Sequence, residues 1–264
     1  MKFQRFIGVL LALVFWGGAH AGGDTVDSDA VAKILAPVGE LRVGVYLGSP
    51  TSMVVDAKSG KVSGVAVELG EALAAAIHRP VRLVRFDRVA QVIEALKTEQ
   101  IDMTFTNATA SRAKDVDFTP ALIRLELGLL VSETASVKRF MDVNDASFRL
   151  GVAKGSSSQS ALGAKLSQTQ IVPVESLDQA QRMLAAGELD GFATNKGILF
   201  QLNERLRGFK VLDDRWGLES LAIAVPKGRD RAMPYLIQFA NQQLQSGSLD
   251  EHAKRAGLRG LVKE

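Results

Sequence analysis

The chain contains no cysteine in its 264 residues. Disulfide bonds and thiolate metal sites are therefore excluded, and so is an anchor attached through a lipid-modified cysteine. Its three histidines, His20, His78 and His252, lie too far apart in sequence to form a metal-binding motif. We predict no structural metal and no cofactor.

The sequence also lacks an excess of basic over acidic residues, or the reverse. Removing residues 1–21, which carry Lys2 and Arg5 and no acidic residue, leaves 30 basic against 29 acidic residues, a net charge of +1. No basic stripe with interleaved aromatic residues is present in the sequence. This near balance gives no electrostatic case for a nucleic-acid partner.

Long hydrophobic runs are absent beyond the N-terminus. The apolar run at residues 6–16 follows two basic residues and precedes a stretch of small residues ending at Ala21. This order is typical of a secretory signal, and the run is shorter than the ~20 residues that cross a bilayer as a helix. We predict a signal peptide over residues 1–21 and a soluble periplasmic protein that is not a lipoprotein.

The mature chain alternates β-prone segments with amphipathic helical patterns. Residues 41–46, 81–86 and 101–106 are typical of short strands. Segments 64–77 and 90–97, which lie between them, repeat apolar residues at helical spacing. Strands that alternate with helices predict a parallel sheet covered by helices.

A second strand–helix cycle spans residues 148–206 and is flanked by two apolar, β-prone crossovers. The final helical patterns, after residue 232, are expected to pack back on the first lobe. We therefore predict an α/β protein of two lobes, the second inserted in the first, with a cleft between them. The predicted bounds are 34–130 with 224–264 for lobe 1, 133–220 for lobe 2, and 127–133 and 219–225 for the crossovers.

Arg112 lies between a polar stretch, Asn107 to Thr109, and a β-prone return. A guanidinium group offers a planar fork of donors that holds a carboxylate by two parallel hydrogen bonds. Arg112 is therefore a candidate anion clamp at the base of the cleft. The competing interpretation is a solvated surface arginine, which is the commoner situation for this residue type.

Ser156 and Ser157 follow a strand of the second lobe at the predicted start of a helix. Hydroxyl and backbone N–H groups at a helix start bind anions, so these serines are candidates to reinforce the clamp from the opposite lobe. An ordinary helix cap is the alternative, and the two roles are compatible.

Four motifs occur in a fixed order, at residues 41–45, 109–112, 151–156 and 222–228. Their order and spacing resemble the bacterial extracellular solute-binding protein family 3, the periplasmic amino-acid receptors of ATP-driven importers. The resemblance implies a type II periplasmic binding protein fold whose lobes close on a small carboxylate-bearing solute, with Arg112 receiving the carboxylate. It also implies a monomer without enzymatic turnover that delivers its solute to an ABC permease in the inner membrane.

The sequence departs from this family within the expected site. Asn195 stands where such receptors commonly carry an aspartate for the ligand ammonium, and a neutral amide compensates a buried ammonium less well. Thr51 stands near the usual place of an aromatic ring, for which Tyr46, Phe105 or Trp216 are candidate substitutes. Lys196 either neutralises a second anionic group of the ligand or is a solvated residue at a helix start. The predicted ligand-binding residues are thus Tyr46, Thr51, Asn107, Thr109, Arg112, Ser156, Ser157 and Asn195.

Two other functions remain open. The same architecture serves periplasmic dehydratases of cyclohexadienyl acids, which require a general acid in the cleft. No motif groups the glutamates Glu68, Glu175 and Glu219, and the most suggestive position holds Asn195. The third possibility is a detached sensor module that acts through a separate membrane partner.

Overall fold

The computed structural model describes residues 28–56 and 58–262. The predicted signal peptide lies outside the described residues. The helices are α1 (Ser28–Leu35), α2 (Val65–Ala76), α3 (Val89–Lys97), α4 (Ser157–Lys165), α5 (Leu177–Ala185), α6 (Lys196–Arg205), α7 (Met233–Gln245) and α8 (Ser248–Arg255). The strands are β1 (Leu41–Tyr46), β2 (Val54–Val55), β3 (Val62–Ser63), β4 (Val81–Phe86), β5 (Thr104–Asn107), β6 (Val116–Phe118), β7 (Ile123–Ser132), β8 (Arg149–Ala153), β9 (Gln170–Val174), β10 (Gly191–Asn195), β11 (Phe209–Val211) and β12 (Gly217–Pro226).

The first lobe is built on parallel strands joined by helices. β1 pairs with β4 in parallel, and Val43 of β1 bridges Met103 just before β5, also in parallel. Helix α2 packs closely on β1 because Gly70 has no side chain: a Cβ there would lie 2.6 Å from Cγ2 of Val43. The parallel arrangement predicted from the alternation of strands and helices is present.

The second lobe repeats this arrangement. β8 lies between β9 and β10 and is parallel to both. Helices α4, α5 and α6 contribute buried apolar residues to the cores of this lobe, among them Leu162, Leu184 and Leu199. Parallel strands need such covering helices because both faces of the sheet must be kept from water.

Two long strands carry the chain between the lobes. β7 and β12 pair antiparallel, from Ile123 opposite Leu221 to Leu127 opposite Gly217. β12 continues along β5 in the first lobe, and β7 continues along β10 in the second. One curled sheet therefore joins both lobes at a two-stranded hinge, and the predicted two-lobed fold with an inserted second lobe is confirmed.

The ends of the described chain pack together in the first lobe. One hydrophobic cluster combines Leu35 and Leu69 with Leu236 and Phe239 from the C-terminal helices. The lobe bounds given above stay a prediction. No helix in the described part of the chain is long and apolar enough to span a membrane.

A buried ionic cluster fixes the first lobe at the ends of β1 and β12. Asp102 is fully buried and accepts from Nε of Arg42 and from Nη2 of Arg229, both at 2.8 Å. Burial alone raises the pKa of Asp102, but the hydrogen bonds from both arginines outweigh burial and hold the pKa below its ordinary value. Asp102 is therefore ionised, and it compensates two cations.

Candidate functional site

A pocket lies between the two lobes, beside the hinge. Every predicted ligand-binding residue except Thr109 lines it. Strand β5 and the turn after it supply Asn107 and Arg112 from the first lobe, whereas the starts of α4 and α6 supply Ser157 and Asn195 from the second. The fold thus brings together residues that lie far apart in sequence.

Arg112 begins a short 3₁₀ turn that follows β5. Its Nη1 donates to Oγ1 of Thr106 at 2.9 Å and to the carbonyl of Asn107 at 3.2 Å. These are the hydrogen bonds of its side chain among the described residues, so Nη2 and Nε remain available to an acceptor in the pocket. Burial lowers the pKa of Arg112, but an arginine lies far enough above neutrality to stay charged.

Thr109 lines an adjoining cavity, together with Arg112, Ser156 and Ser157, and its ligand contact stays a prediction. Its Oγ1 accepts a 3.2 Å hydrogen bond from the backbone N–H of Arg112. Thr109 therefore stabilises the turn that carries the guanidinium and does not line the pocket itself.

Asn107 connects the lobes across the pocket. Its Oδ1 accepts from the backbone N–H of Ser220 at 3.1 Å, and its Nδ2 donates to Oγ of Ser157 at 3.2 Å. Ser156 is the N-cap of α4 and accepts from the backbone N–H of Gln159 at 3.2 Å. Ser156 therefore caps the helix and Ser157 contacts the opposite lobe, while anion binding by this serine pair stays a prediction.

Asn195 ends β10 and caps α6. Its Oδ1 accepts from the backbone N–H of Ile198 at 3.0 Å, and its Nδ2 donates to Oε2 of Glu219 at 3.1 Å. Both halves of the amide are thus used within the protein. Asn195 positions Glu219, a residue of the hinge strand β12 that also lines the pocket.

Glu219 was not among the predicted site residues, yet it is the one of the three glutamates considered above that lines the pocket. Its side chain is buried, with 7% of the residue exposed. The available signal was the single acid of the largely apolar run 217–226, but only the strand register shows where its side chain points. Of the other two, Glu175 pairs with the pocket residue Arg88, and Glu68 pairs with Arg255.

The electrostatics of Glu219 follow from this position. Burial raises the pKa of its carboxyl, while the Arg112 guanidinium, the Asn195 amide and the Ser157 hydroxyl act in the opposite direction. Among the described residues, no ion pair within 4.0 Å joins Arg112 to Glu219. The Arg112 guanidinium and the Glu219 carboxyl therefore line the pocket as two groups that a bound molecule can contact separately.

The aromatic candidates differ in position. Tyr46 and Phe105 line the pocket, as does the buried Thr51, whose hydroxyl lies 2.9 Å from that of Ser49. Burial raises the pKa of the Tyr46 phenol, which is therefore neutral. Trp216 instead packs on Phe140 in the second-lobe core.

Lys196 does not reach the pocket. Its Nζ lies 2.7 Å from Oε2 of Glu126 and 2.7 Å from the carbonyl of Asp213. The side chain is buried at the hinge, so neither of its predicted roles, ligand contact or solvated residue, describes it. In the described part of the chain, no group of three or more His, Cys, Asp or Glu residues could hold a metal ion.

A sequence model of the bacterial extracellular solute-binding proteins, family 3, matches residues 41–257. The chain belongs to this family. It is 24% identical over 214 residues to a glutamine-binding protein of Geobacillus stearothermophilus, a match that covers 80% of this chain and 81% of that protein. The predicted family is therefore confirmed.

Two further similarities extend the comparison. The chain is 27% identical over 240 residues to the membrane-bound lytic murein transglycosylase F of Shewanella baltica, covering 86% of this chain but only 48% of that larger protein. The crystal structure of AncCDT-1, an ancestral amino acid-binding protein described as a precursor of cyclohexadienyl dehydratase, has a TM-score of 0.74 at 24% identity. It covers 86% of this chain and 98% of its own, and the likeness shows a shared fold.

Proposed function

We propose that this protein is an exported periplasmic receptor that binds an amino acid or a close derivative between its lobes and delivers it to an ABC permease in the inner membrane. The observation that carries the proposal is the placement of Arg112 and Glu219 in one interlobe pocket without an ion pair between them. Membership of a solute-binding family supports it.

The charges of the pocket match those of an α-amino acid. A carboxylate can accept from Nη2 and Nε of Arg112, and an ammonium can donate to Glu219. A buried charge without a partner is costly, and a zwitterion compensates both protein charges at once. The carboxylate that Asn195 lacks is thus supplied by the neighbouring hinge strand.

The contacts across the pocket connect binding to lobe closure. Asn107 and Ser157 bond to each other from opposite lobes, and a ligand held by residues of both lobes stabilises the closed form selectively. A permease that binds the closed form would then receive loaded receptors. The chain itself would act as a carrier with no turnover.

The test begins with the small molecules that mature protein, residues 22–264, releases on denaturation. Mass spectrometry identifies them, and calorimetry measures their binding to wild type, Arg112→Ala and Glu219→Gln. Arg139→Ala is the matched control, because that arginine side chain is 80% exposed. We expect a stoichiometric amino acid whose binding collapses in the two pocket variants alone. Unchanged affinity in Arg112→Ala would show that Arg112 does not bind the carboxylate of the ligand.

A second candidate is a dehydratase of cyclohexadienyl acids. A general acid requires a carboxyl that stays protonated near neutral pH. Glu219 is buried in the pocket with a raised pKa. It is thus a candidate for the general acid that no sequence motif indicated. Its proton would pass to the ring hydroxyl as the C–O bond breaks and water leaves. The ring carboxylate would depart as CO₂, and its bonding electrons would complete the aromatic ring.

Incubation with prephenate or arogenate separates the two candidates. The receptor proposal predicts that the substrate persists at high protein concentration. Formation of phenylpyruvate or phenylalanine by wild type, and its loss in Glu219→Gln, would establish the dehydratase.

A further inference from the structure

A second arginine lines the interlobe pocket without a role in the proposal above. Arg88 immediately precedes α3 in the first lobe, and its side chain is 20% exposed. Its Nη1 pairs with Oε2 of Glu175 in the second lobe. Its Nε is buried and has no hydrogen-bond partner among the described residues.

The unpartnered Nε is the informative atom. Buried hydrogen-bond donors almost always have an acceptor, because a donor buried without one loses the hydrogen bond that it made with water in the unfolded chain. The ion pair to Glu175 orients the guanidinium but uses another nitrogen. Because Arg88 lines the pocket, a bound molecule there is the candidate partner for this N–H.

The charges around Arg88 favour an acceptor over a donor. Glu175 is shared, since Nζ of Lys154 lies 2.5 Å from its Oε1 while Arg88 contacts Oε2. One carboxylate thus faces two cations. The adjacent Asp87 also lines the pocket, but it is exposed to solvent, where its charge is screened. This side of the pocket is consequently suited to a carboxylate or a carboxamide oxygen.

The walls beside Arg88 define the shape of the subsite. Val89 of the first lobe and Leu177 of the second also line the pocket. These apolar side chains can contact the methylene groups of a ligand, and Arg88 is then the polar group available to its end. Arg112 and Glu219 remain for the α-carboxylate and the ammonium.

We propose that Arg88 is a specificity-determining residue whose Nε donates to an oxygen at the end of the ligand side chain, so that the solute is an amino acid with a side-chain carboxylate or carboxamide. This inference rests on the proposed amino-acid receptor function. The ion pair to Glu175 makes the recognition dependent on closure, because the two residues belong to different lobes.

Calorimetry on the mature protein tests the proposal with L-glutamate, L-aspartate, L-glutamine and L-asparagine, against L-norvaline, which lacks a side-chain oxygen. We expect wild type to bind at least one of the first four ten times or more tighter than norvaline. The first two probes report a carboxylate, and the other two report a carboxamide. Each outcome supports the acceptor and identifies its chemistry.

Two substitutions at position 88 separate recognition from closure. Arg88→Lys keeps a cation for Glu175 but has no Nε, and Arg88→Met keeps an unbranched chain without charge. Arg88→Lys is expected to lose about tenfold or more for the preferred ligand and to bind norvaline within about twofold of wild type. Arg88→Met also loses the pair with Glu175, so it is expected to weaken norvaline by the factor that Glu175→Gln shows and the preferred ligand by about tenfold more. Glu175→Gln retains the Nε and is expected to weaken all ligands by a common factor. Thermal melts confirm that each variant is folded.

Three results would overturn the inference. If norvaline binds as tightly as the amino acids with a side-chain oxygen, the protein does not recognise such an oxygen. Equal weakening of every ligand in Arg88→Lys would make Arg88 a closure contact alone. If wild type prefers L-arginine or L-lysine, and Arg88→Met binds them more tightly still, the subsite recognises a cationic side chain and not an oxygen acceptor. If no amino acid binds to wild type, the proposed function itself fails, and this inference fails with it.

Discussion

The side-chain amide of Asn195 donates a 3.1 Å hydrogen bond to Oε2 of Glu219. The first residue ends a strand of the second lobe, and the other belongs to the hinge strand β12. An acid therefore occupies the pocket although the strand end itself is neutral. Under the proposed function, this amide and glutamate together take the place of the single aspartate expected for a ligand ammonium.

The first prediction concerns this pair. Glu219→Gln should weaken amino-acid binding by about one to two orders of magnitude, because a buried ammonium loses its counter-charge. Calorimetric titration with the ligand found in the purified protein measures the loss.

The double variant Glu219→Gln with Asn195→Asp is the matched control. Aspartate is as good an N-cap as asparagine, so α6 should keep its start. Moving the carboxylate across the hydrogen bond should recover part of the lost affinity. No recovery would show that Glu219 acts on something other than the ligand ammonium.

The second prediction is a pH dependence of opposite sign for stability and for binding. Burial raises the pKa of Glu219 in the folded protein above its ordinary value. The folded state then holds more protons than the unfolded state between the two values, so stability without ligand falls as pH rises through this window. Binding of an ammonium needs the ionised carboxylate, and affinity should rise over the same window.

Urea unfolding and calorimetry from pH ~4 to pH ~8 test both signs, since the ordinary glutamate pKa is ~4.3. Glu219→Gln has no proton to lose at this position, so the difference between the wild-type and variant stability profiles isolates Glu219, and binding should depend less on pH in the variant. A wild-type stability profile that matches the variant would contradict a raised pKa for Glu219.

The third prediction concerns Asp102, which is buried between Arg42 and Arg229. Asp102→Ala should cost about 3–5 kcal/mol of the free energy of unfolding, because it leaves two cations in the interior without their carboxylate. Urea denaturation measures the change. The control is Glu204→Ala, which breaks an exposed pair with Arg259 and should cost about 0–1 kcal/mol. If both variants lose a similar free energy of unfolding, the buried cluster stabilises the protein no more than an exposed ion pair does.

Much of the fold could be predicted because its signals are local. The helices α2 and α6 follow from apolar residues at helical spacing, and the strands β1 and β4 from short β-prone segments. The position of Arg112 in the interlobe pocket could be predicted for the same reason, since its turn follows directly on a strand. Local patterns thus predicted the elements and one wall of the pocket.

Glu219 could not be predicted because its direction depends on strand register. It lies opposite Leu125 in the hinge pair, and Leu221, two residues further on, lies opposite Asn107 of β5. Residues two apart share a face of a strand, and both Glu219 and Leu221 line the pocket. Lys196 and the Arg88–Glu175 pair likewise depend on how distant segments approach each other.

The last prediction concerns Gly155, which lies in the second lobe with φ at 70°. A Cβ at this position would lie only 2.7 Å from that of Ala90 on α3 of the first lobe. Gly155→Ala should therefore oppose closure and weaken ligand binding, since the contact exists only where the lobes approach. Gly187 is the matched control, because its φ of 69° is nearly the same and nothing lies within 4 Å of its Cβ position.

Both glycine variants should lose similar stability, because an alanine at positive φ is strained wherever it occurs. Only Gly155→Ala should lose affinity, and small-angle scattering with saturating ligand should show it less compact than Gly187→Ala. Thermal melts measure the shared strain, and calorimetry measures the affinity. Because the strain cancels between the two variants, the remaining difference reports the contact between the lobes. Equal affinities would mean that closure on the ligand does not bring Gly155 against Ala90.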